Sequence, residues 1–128
     1  MSERYVLDGS AVLCLIRNEP GADTVKAALP DSSISTVNLS EVIAKMADLG
    51  MDAHLIDAVL DPLQLPAIPF DVAQARVAGL LRPATRSLGL SQGDRACLAL
   101  AEQSGATAMT TDRAWGTLGA ASKVMLAR

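Results

Sequence analysis

Apolar residues fall in short runs separated by polar punctuation, and the period of each run predicts its conformation. Tyr5-Val6-Leu7 reads as a short buried strand. Asp8-Gly9-Ser10 follows, and an apolar helix then runs to about Asn18. Glu19-Pro20-Gly21 stops it, because Pro and Gly both break helices. Ala22 to Leu29 fits a second, short helix. Ser33 to Val37 alternates in polarity and is rich in β-branched residues, which predicts a strand. Asn38 to Leu49 carries Leu39, Val42, Ile43 and Met46 at helical spacing, with Gly50 as a C-terminal cap. Asp52 to Leu60 predicts a further helix with Leu55, Ile56, Val59 and Leu60 on one face.

Leu65 to Phe70 suggests a strand that Pro66 and Pro69 push towards a sheet edge. Asp71 to Leu81 reads as a helix ended by Pro83, and Asp94 to Gln103 as a helix closed by Gly105. Ala106 to Thr110 is expected as a strand, Arg113 to Leu118 as a short helix and Lys123 to Leu126 as a last strand. Strands thus alternate with helices, which predicts an α/β fold with a central, mostly parallel sheet flanked by helices. No repeat, low-complexity tract or long linker divides the chain, so residues 1–128 are expected to form one domain.

This order of elements places acidic residues together. Asp8 directly follows the first strand, and Glu41 lies in the first turn of the helix after the second. Asp94 opens the helix that leads into Ala106 to Thr110, and Asp112 directly follows that strand. In a parallel α/β sheet, helix N-termini share an edge with strand C-termini, and open α/β sheets bind their ligands there. Each residue alone also fits a helix cap. Asp8 and Asp112 precede helices, Asn38 and Glu41 fit N-x-x-E, and Ser91 and Asp94 fit S-x-x-D. Capping, however, gives no reason to gather four carboxylates at one edge, where they repel one another. A hard divalent cation removes that repulsion, and carboxylates with water are the ligands Mg²⁺ and Mn²⁺ prefer. Such ions assist phosphoryl chemistry. Ser10, Thr110 and Thr111 are candidate hydroxyl supports for the carboxylates; ordinary turn and strand-end hydrogen bonding is the alternative.

Composition narrows the choice. The chain has 128 residues, half of them hydrophobic and a fifth charged, enough to fold around a core of its own. A net charge of −3 argues against coating nucleic acid by bulk charge, but leaves room for a local grip beside an acidic site. Arg82, Arg86, Arg95 and Arg113 fall nearest the expected edge. They are candidate contacts to nucleic-acid phosphates, or else solvated side chains and internal ion pairs. Tyr5, Phe70 and Trp115 are the only aromatics, too few for a base-stacking platform. Glu41 and Lys45 sit at i, i+4 and could pair. His54 is the only histidine, which excludes a catalytic histidine pair and argues against a His-rich zinc site. Cys14 and Cys97 form no C-x-x-C and read as small buried hydrophobes. There is no phosphate-binding G-x-x-x-x-G-K-[ST] and no G-x-S-x-G. No apolar segment is long enough to span a bilayer, and the N-terminus lacks signal-peptide regions, so a cytoplasmic location is expected.

Four segments together resemble the PIN domain family, and more narrowly the VapC toxins of bacterial and archaeal toxin–antitoxin pairs. They are Tyr5-Val6-Leu7-Asp8-Gly9-Ser10, Asn38-Leu39-Ser40-Glu41-Val42, Leu90 to Ala101, and Thr110-Thr111-Asp112-Arg113-Ala114-Trp115. The resemblance runs through essentially the whole chain in family order. It implies a central parallel sheet wrapped by helices and metal-dependent endonucleolytic cleavage of RNA, leaving a 5′-phosphate and a 3′-hydroxyl. It implies structured targets such as tRNA or ribosomal RNA, a small VapB-like antitoxin as partner, and a homodimer. The family's acidic residues carry over to Asp8, Glu41, Asp94 and Asp112, one in each motif. Two positions depart from it. Gly9 stands where the family more often has Ala or Thr, and Gln92 where Leu is frequent.

Two other classes remain open on the sequence. A Mg²⁺-dependent phosphatase of α/β fold resembles the Asp8 strand end, but usually carries a second Asp where Ser10 stands here. A PIN-like module that binds RNA or protein without cleavage is the second, and four intact carboxylates argue against it.

Overall fold

Strand β1 (Tyr5–Leu7) occupies the middle of a five-stranded sheet, and its alternating side chains feed a core on each face. Val6 points into one core, with Leu90, Cys97, Leu100, Ala108 and Trp115. Leu7 points into the other, with Val12, Val25, Ile34, Val42, Met46 and Met109. Burial on both faces is the normal state of a parallel strand and explains why β1 is wholly apolar at these positions. The computed structural model describes residues 3–118 and 122–128. Met1 and Ser2, read above for a signal peptide, lie outside them.

Helices α1 (Gly9–Arg17) and α2 (Ala22–Ala28) lead from β1 to β2 (Ser32–Ser35). Helices α3 (Thr36–Asp48) and α4 (Ala53–Leu60) lead to β3 (Ala67–Ile68), and α5 (Val72–Leu80), α6 (Arg82–Thr85) and α7 (Gln92–Ser104) lead to β4 (Thr107–Thr110). A 3₁₀ turn at Arg113–Thr117 precedes β5 (Val124–Leu126). The strand order is β3-β2-β1-β4-β5, and every neighbouring pair is parallel. The chain winds away from β1 in one direction and returns on its other side. The order therefore reverses between β1 and β4, and their C-terminal ends frame the crevice where such sheets place ligands.

The α/β reading of the sequence holds, with local corrections. The predicted strand Ser33 to Val37 ends at Ser35, because the Ser35 hydroxyl accepts the Val37 N–H at 3.2 Å and starts α3 two residues early. Asn38 is consequently a buried residue inside α3 and not a cap, and Glu41 lies in the second helical turn, not the first. Pro83 does not end α5 but sits in the first turn of α6, where its missing N–H has no partner to lose. In α4 only Ile56 is buried; Leu55 turns outwards and is half exposed. β3 is short and lies at the sheet edge, as its flanking prolines predict. Cys14 and Cys97 are buried free thiols, and His54 is exposed. Among the described residues no helix is long and apolar enough to cross a membrane.

Candidate active site

Asp8 stands at the centre of the strand-end crevice. It is 3% exposed, and it caps α1 through a bond from the Ala11 N–H to Oδ1 at 2.8 Å. The Ser10 hydroxyl donates to the same oxygen at 2.7 Å, and the Thr110 hydroxyl donates to Oδ2 at 2.5 Å. The two hydroxyls are 3.2 Å apart. Ser10 Oγ also accepts the Thr111 N–H, and Thr110 Oγ1 the Asp112 N–H, each at 3.0 Å. Ser10 and Thr110 thus knit the end of β1 to the end of β4. Thr111 takes part through its backbone. Burial raises the Asp8 pKa to about 6; the three donated bonds oppose the rise, and the charge of Asp94 adds to it.

The other acidic residues arrive from three directions. Asp94 opens α7 in a full capping box: its Oδ2 accepts the Ser91 N–H at 2.9 Å, and Ser91 Oγ accepts the Asp94 N–H at 3.2 Å. Asp112 is exposed and caps the following 3₁₀ turn by accepting the Ala114 N–H at 3.0 Å. Glu41 is not a cap. It accepts a bond at 3.0 Å from Asn38, whose second amide hydrogen goes to the Gly93 carbonyl, also at 3.0 Å. A Cβ placed on Gly93 would overlap the Glu41 carboxylate, so Glu41 lies directly over the backbone that precedes Asp94. The fields of Asp8, Asp94 and Glu41 all reach the Cys97 thiol, which complete burial and then these three charges push well above its usual pKa.

Three of the four carboxylates are therefore helix caps and edge residues at once; the two readings of the sequence are not exclusive. The set is made of hard oxygen donors with hydroxyl support, and its most buried member has neutral donors around it and no cation. That chemistry fits Mg²⁺ or Mn²⁺. Among the described residues, however, no three His, Cys, Asp or Glu side chains come together as a group that could hold a metal ion, so the convergence expected of the four carboxylates is not seen in this arrangement.

The arginines divide. Arg82, Arg86 and Arg113 are exposed. Arg95 is half-buried and donates from Nη1 to the Ala78 carbonyl near the end of α5 at 3.0 Å. Lys45 does not pair with Glu41; among the described residues the ion pair is Arg128 with Glu19 at 3.8 Å. The sequence reading took Asn38 only as a cap paired with Glu41 and gave Gly93 no role. Their signals were an Asn three residues before an acidic residue on an otherwise apolar helix face, and a Gly in a first helical turn.

Residues 5–120 match the PIN domain family. VapC ribonuclease Mb2780c of Mycobacterium bovis and ribonuclease VapC42 of Mycobacterium tuberculosis are each 34% identical over 102 residues, 76% of this chain and 76% of theirs. Among solved structures, DNA-bound VapBC from Salmonella typhimurium superposes with a TM-score of 0.78 at 17% identity, covering 99% of this chain and 100% of that one. VapBC2 from Rickettsia felis, bound to a DNA fragment from its promoter, gives 0.75 at 17% identity, covering 95% and 97%. At that identity the superpositions speak to the fold, and the sequence matches speak to kinship. The chain belongs to the PIN domain family, in its VapC branch.

Proposed function

We propose that this chain is a Mg²⁺- or Mn²⁺-dependent endoribonuclease, the toxin of a type II toxin–antitoxin pair. The observation that carries the reading is Asp8: a carboxylate buried at the sheet's switch point, within the field of Asp94, with only neutral donors bonded to it. Burying such a group without a counter-charge is costly, and function is the common reason to keep it. The kinship with proteins named VapC ribonucleases supports the reaction class.

Asp8, Glu41, Asp94 and Asp112 would hold the ion. When bound, it supplies Lewis acidity to a phosphodiester and to the attacking water. Hydrolysis then joins the water oxygen to phosphorus and releases the 3′ oxygen, giving 5′-phosphate and 3′-hydroxyl ends. Ser10 and Thr110 keep Asp8 aimed by holding both of its oxygens. Arg82, Arg86 and Arg113, all exposed, would meet the phosphates of a structured RNA such as tRNA or rRNA. Arg95 is already engaged at Ala78 and serves the packing of α7 on α5.

A VapB-like antitoxin, a homodimer and a cytoplasmic setting complete the proposal. The exposed apolar side chains Ile43, Leu49 and Leu55 on α3, α4 and their connection, and Val72 and Leu80 on α5, are surfaces such partners would cover. The test is to incubate antitoxin-free protein with total bacterial RNA in Mg²⁺, Mn²⁺ or EDTA and map the fragment ends. Discrete fragments with 5′-phosphates, absent in EDTA, are expected. RNA that binds and stays intact in both metals contradicts the reading.

A further inference from the structure

Glu41 differs from the other three carboxylates in having no backbone N–H to hold it. It is exposed, it sits in the second turn of α3, and a free Glu side chain there would sample many rotamers. Its position is instead fixed from outside. Asn38 is 1% exposed and spends both amide hydrogens, one on Glu41 Oε1 and one on the Gly93 carbonyl. Both partners are acceptors, so the amide has one acceptable orientation. Its own oxygen finds no hydrogen-bond partner among the described residues, and a buried carbonyl left this way carries a free-energy cost. Packing alone gives no reason to keep such a residue. An apolar side chain of similar size would avoid the cost.

Gly93 supplies the other half. Its backbone φ is not in the left-handed region, so conformation does not demand glycine there. Space does: a Cβ would overlap both oxygens and the carboxyl carbon of Glu41. Ala is the better helix former, so glycine in this turn of α7 is a choice against stability.

We propose that Asn38 and Gly93 are positioning residues that clamp the Glu41 carboxylate beside Asp94. One amide joins the helix bearing Glu41 to the helix bearing Asp94, and the bare glycine leaves the carboxylate its place. The inference deepens the reading above and rests on Glu41 being a metal ligand.

The test is Mn²⁺ binding by calorimetry to the metal-stripped full chain, with thermal unfolding in EDTA alongside. Gly93→Ala is expected to fold as stably as wild type or more so, and to weaken Mn²⁺ binding by about 10–100-fold, the usual effect of losing ligand support. Asn38→Ala is expected to weaken binding similarly while lowering Tm. In a Glu41→Asp background the shorter side chain clears the added methyl, so Gly93→Ala is expected to cause no further loss. Wild-type affinity in Gly93→Ala overturns the clamp, as does an equal loss in the Glu41→Asp background or a wild type that binds no Mn²⁺. A wild type that binds Mn²⁺ with the expected pattern yet cuts no RNA keeps the clamp and overturns the nuclease reading.

Discussion

The Thr110 hydroxyl donates to Asp8 Oδ2 at 2.5 Å, and so ties the end of β4 to the end of β1 where the strand order reverses. The same oxygen of Thr110 accepts the Asp112 N–H at 3.0 Å. One buried hydroxyl therefore holds the Asp8 carboxylate and the backbone of Asp112.

Thr110→Val keeps the volume and the β-branching and removes both bonds. The variant is expected to lose about 1–3 kcal/mol of stability, the cost of leaving buried groups without partners. It is also expected to lose most RNA cleavage, because Asp8 loses the bond to Oδ2 and the backbone of Asp112 loses its anchor. Urea unfolding and a cleavage assay check this, and Thr110→Ser, which keeps the hydroxyl, should recover most of both. Full activity in the valine variant contradicts the role.

Asp8 gives a pH signature in the metal-free protein. Its pKa is raised in the fold to about 6, above the ordinary 3.8. The folded state thus holds this proton more tightly, so the contribution of Asp8 is most favourable at low pH and is lost as pH rises through about 6. Asp8→Asn removes the charge and can still accept the Ala11 N–H. In EDTA at pH 7.5 it is expected to be more stable than wild type, by up to about 3 kcal/mol. The difference between the two proteins should grow between pH 4.5 and 7. Parallel stability curves across that window would show that Asp8 titrates normally.

Divalent ions should reverse that order. Mg²⁺ or Mn²⁺ that binds only the folded chain stabilises it by about 2.7 kcal/mol at a hundred times the dissociation constant. Wild type is expected to gain Tm on Mn²⁺ addition at pH 7.5, and Asp8→Asn to gain little. Equal gains would place the ion elsewhere.

The arginines separate RNA contact from packing. Arg82→Ala with Arg86→Ala is expected to leave Tm unchanged, weaken RNA binding and reduce the slope of log affinity against log salt by about 1.5. Arg95→Ala is expected to cost about 1–3 kcal/mol through its lost bond to Ala78, with the salt slope unchanged. Titrations of RNA at several salt concentrations distinguish them.

The fold was legible because the apolar runs are short and their periods distinct, and because Asp8 falls one residue and Asp112 two residues past a strand end. Asp94 was legible twice over, as a capping box and as an edge carboxylate. The end of β2 was not, since alternation continues through Val37 and only the Ser35 cap shows where the helix begins. The bond of Arg95 to the Ala78 carbonyl was not legible either, because its partner lies 17 residues away on another helix. Asn38 was hidden inside a plausible capping motif, and its partner Gly93 lies 55 residues away. Contacts across elements of that separation leave no local pattern.

The most direct measurement compares cleavage of bacterial RNA by wild type, Asp8→Asn and Asp94→Asn in Mg²⁺ and in EDTA, with each variant shown to be folded by thermal unfolding. Site-specific fragments with 5′-phosphates from wild type in Mg²⁺, and none in EDTA or from either folded variant, are the expected result. Cleavage that persists in EDTA or in the folded variants would contradict a metal-dependent nuclease built on these carboxylates.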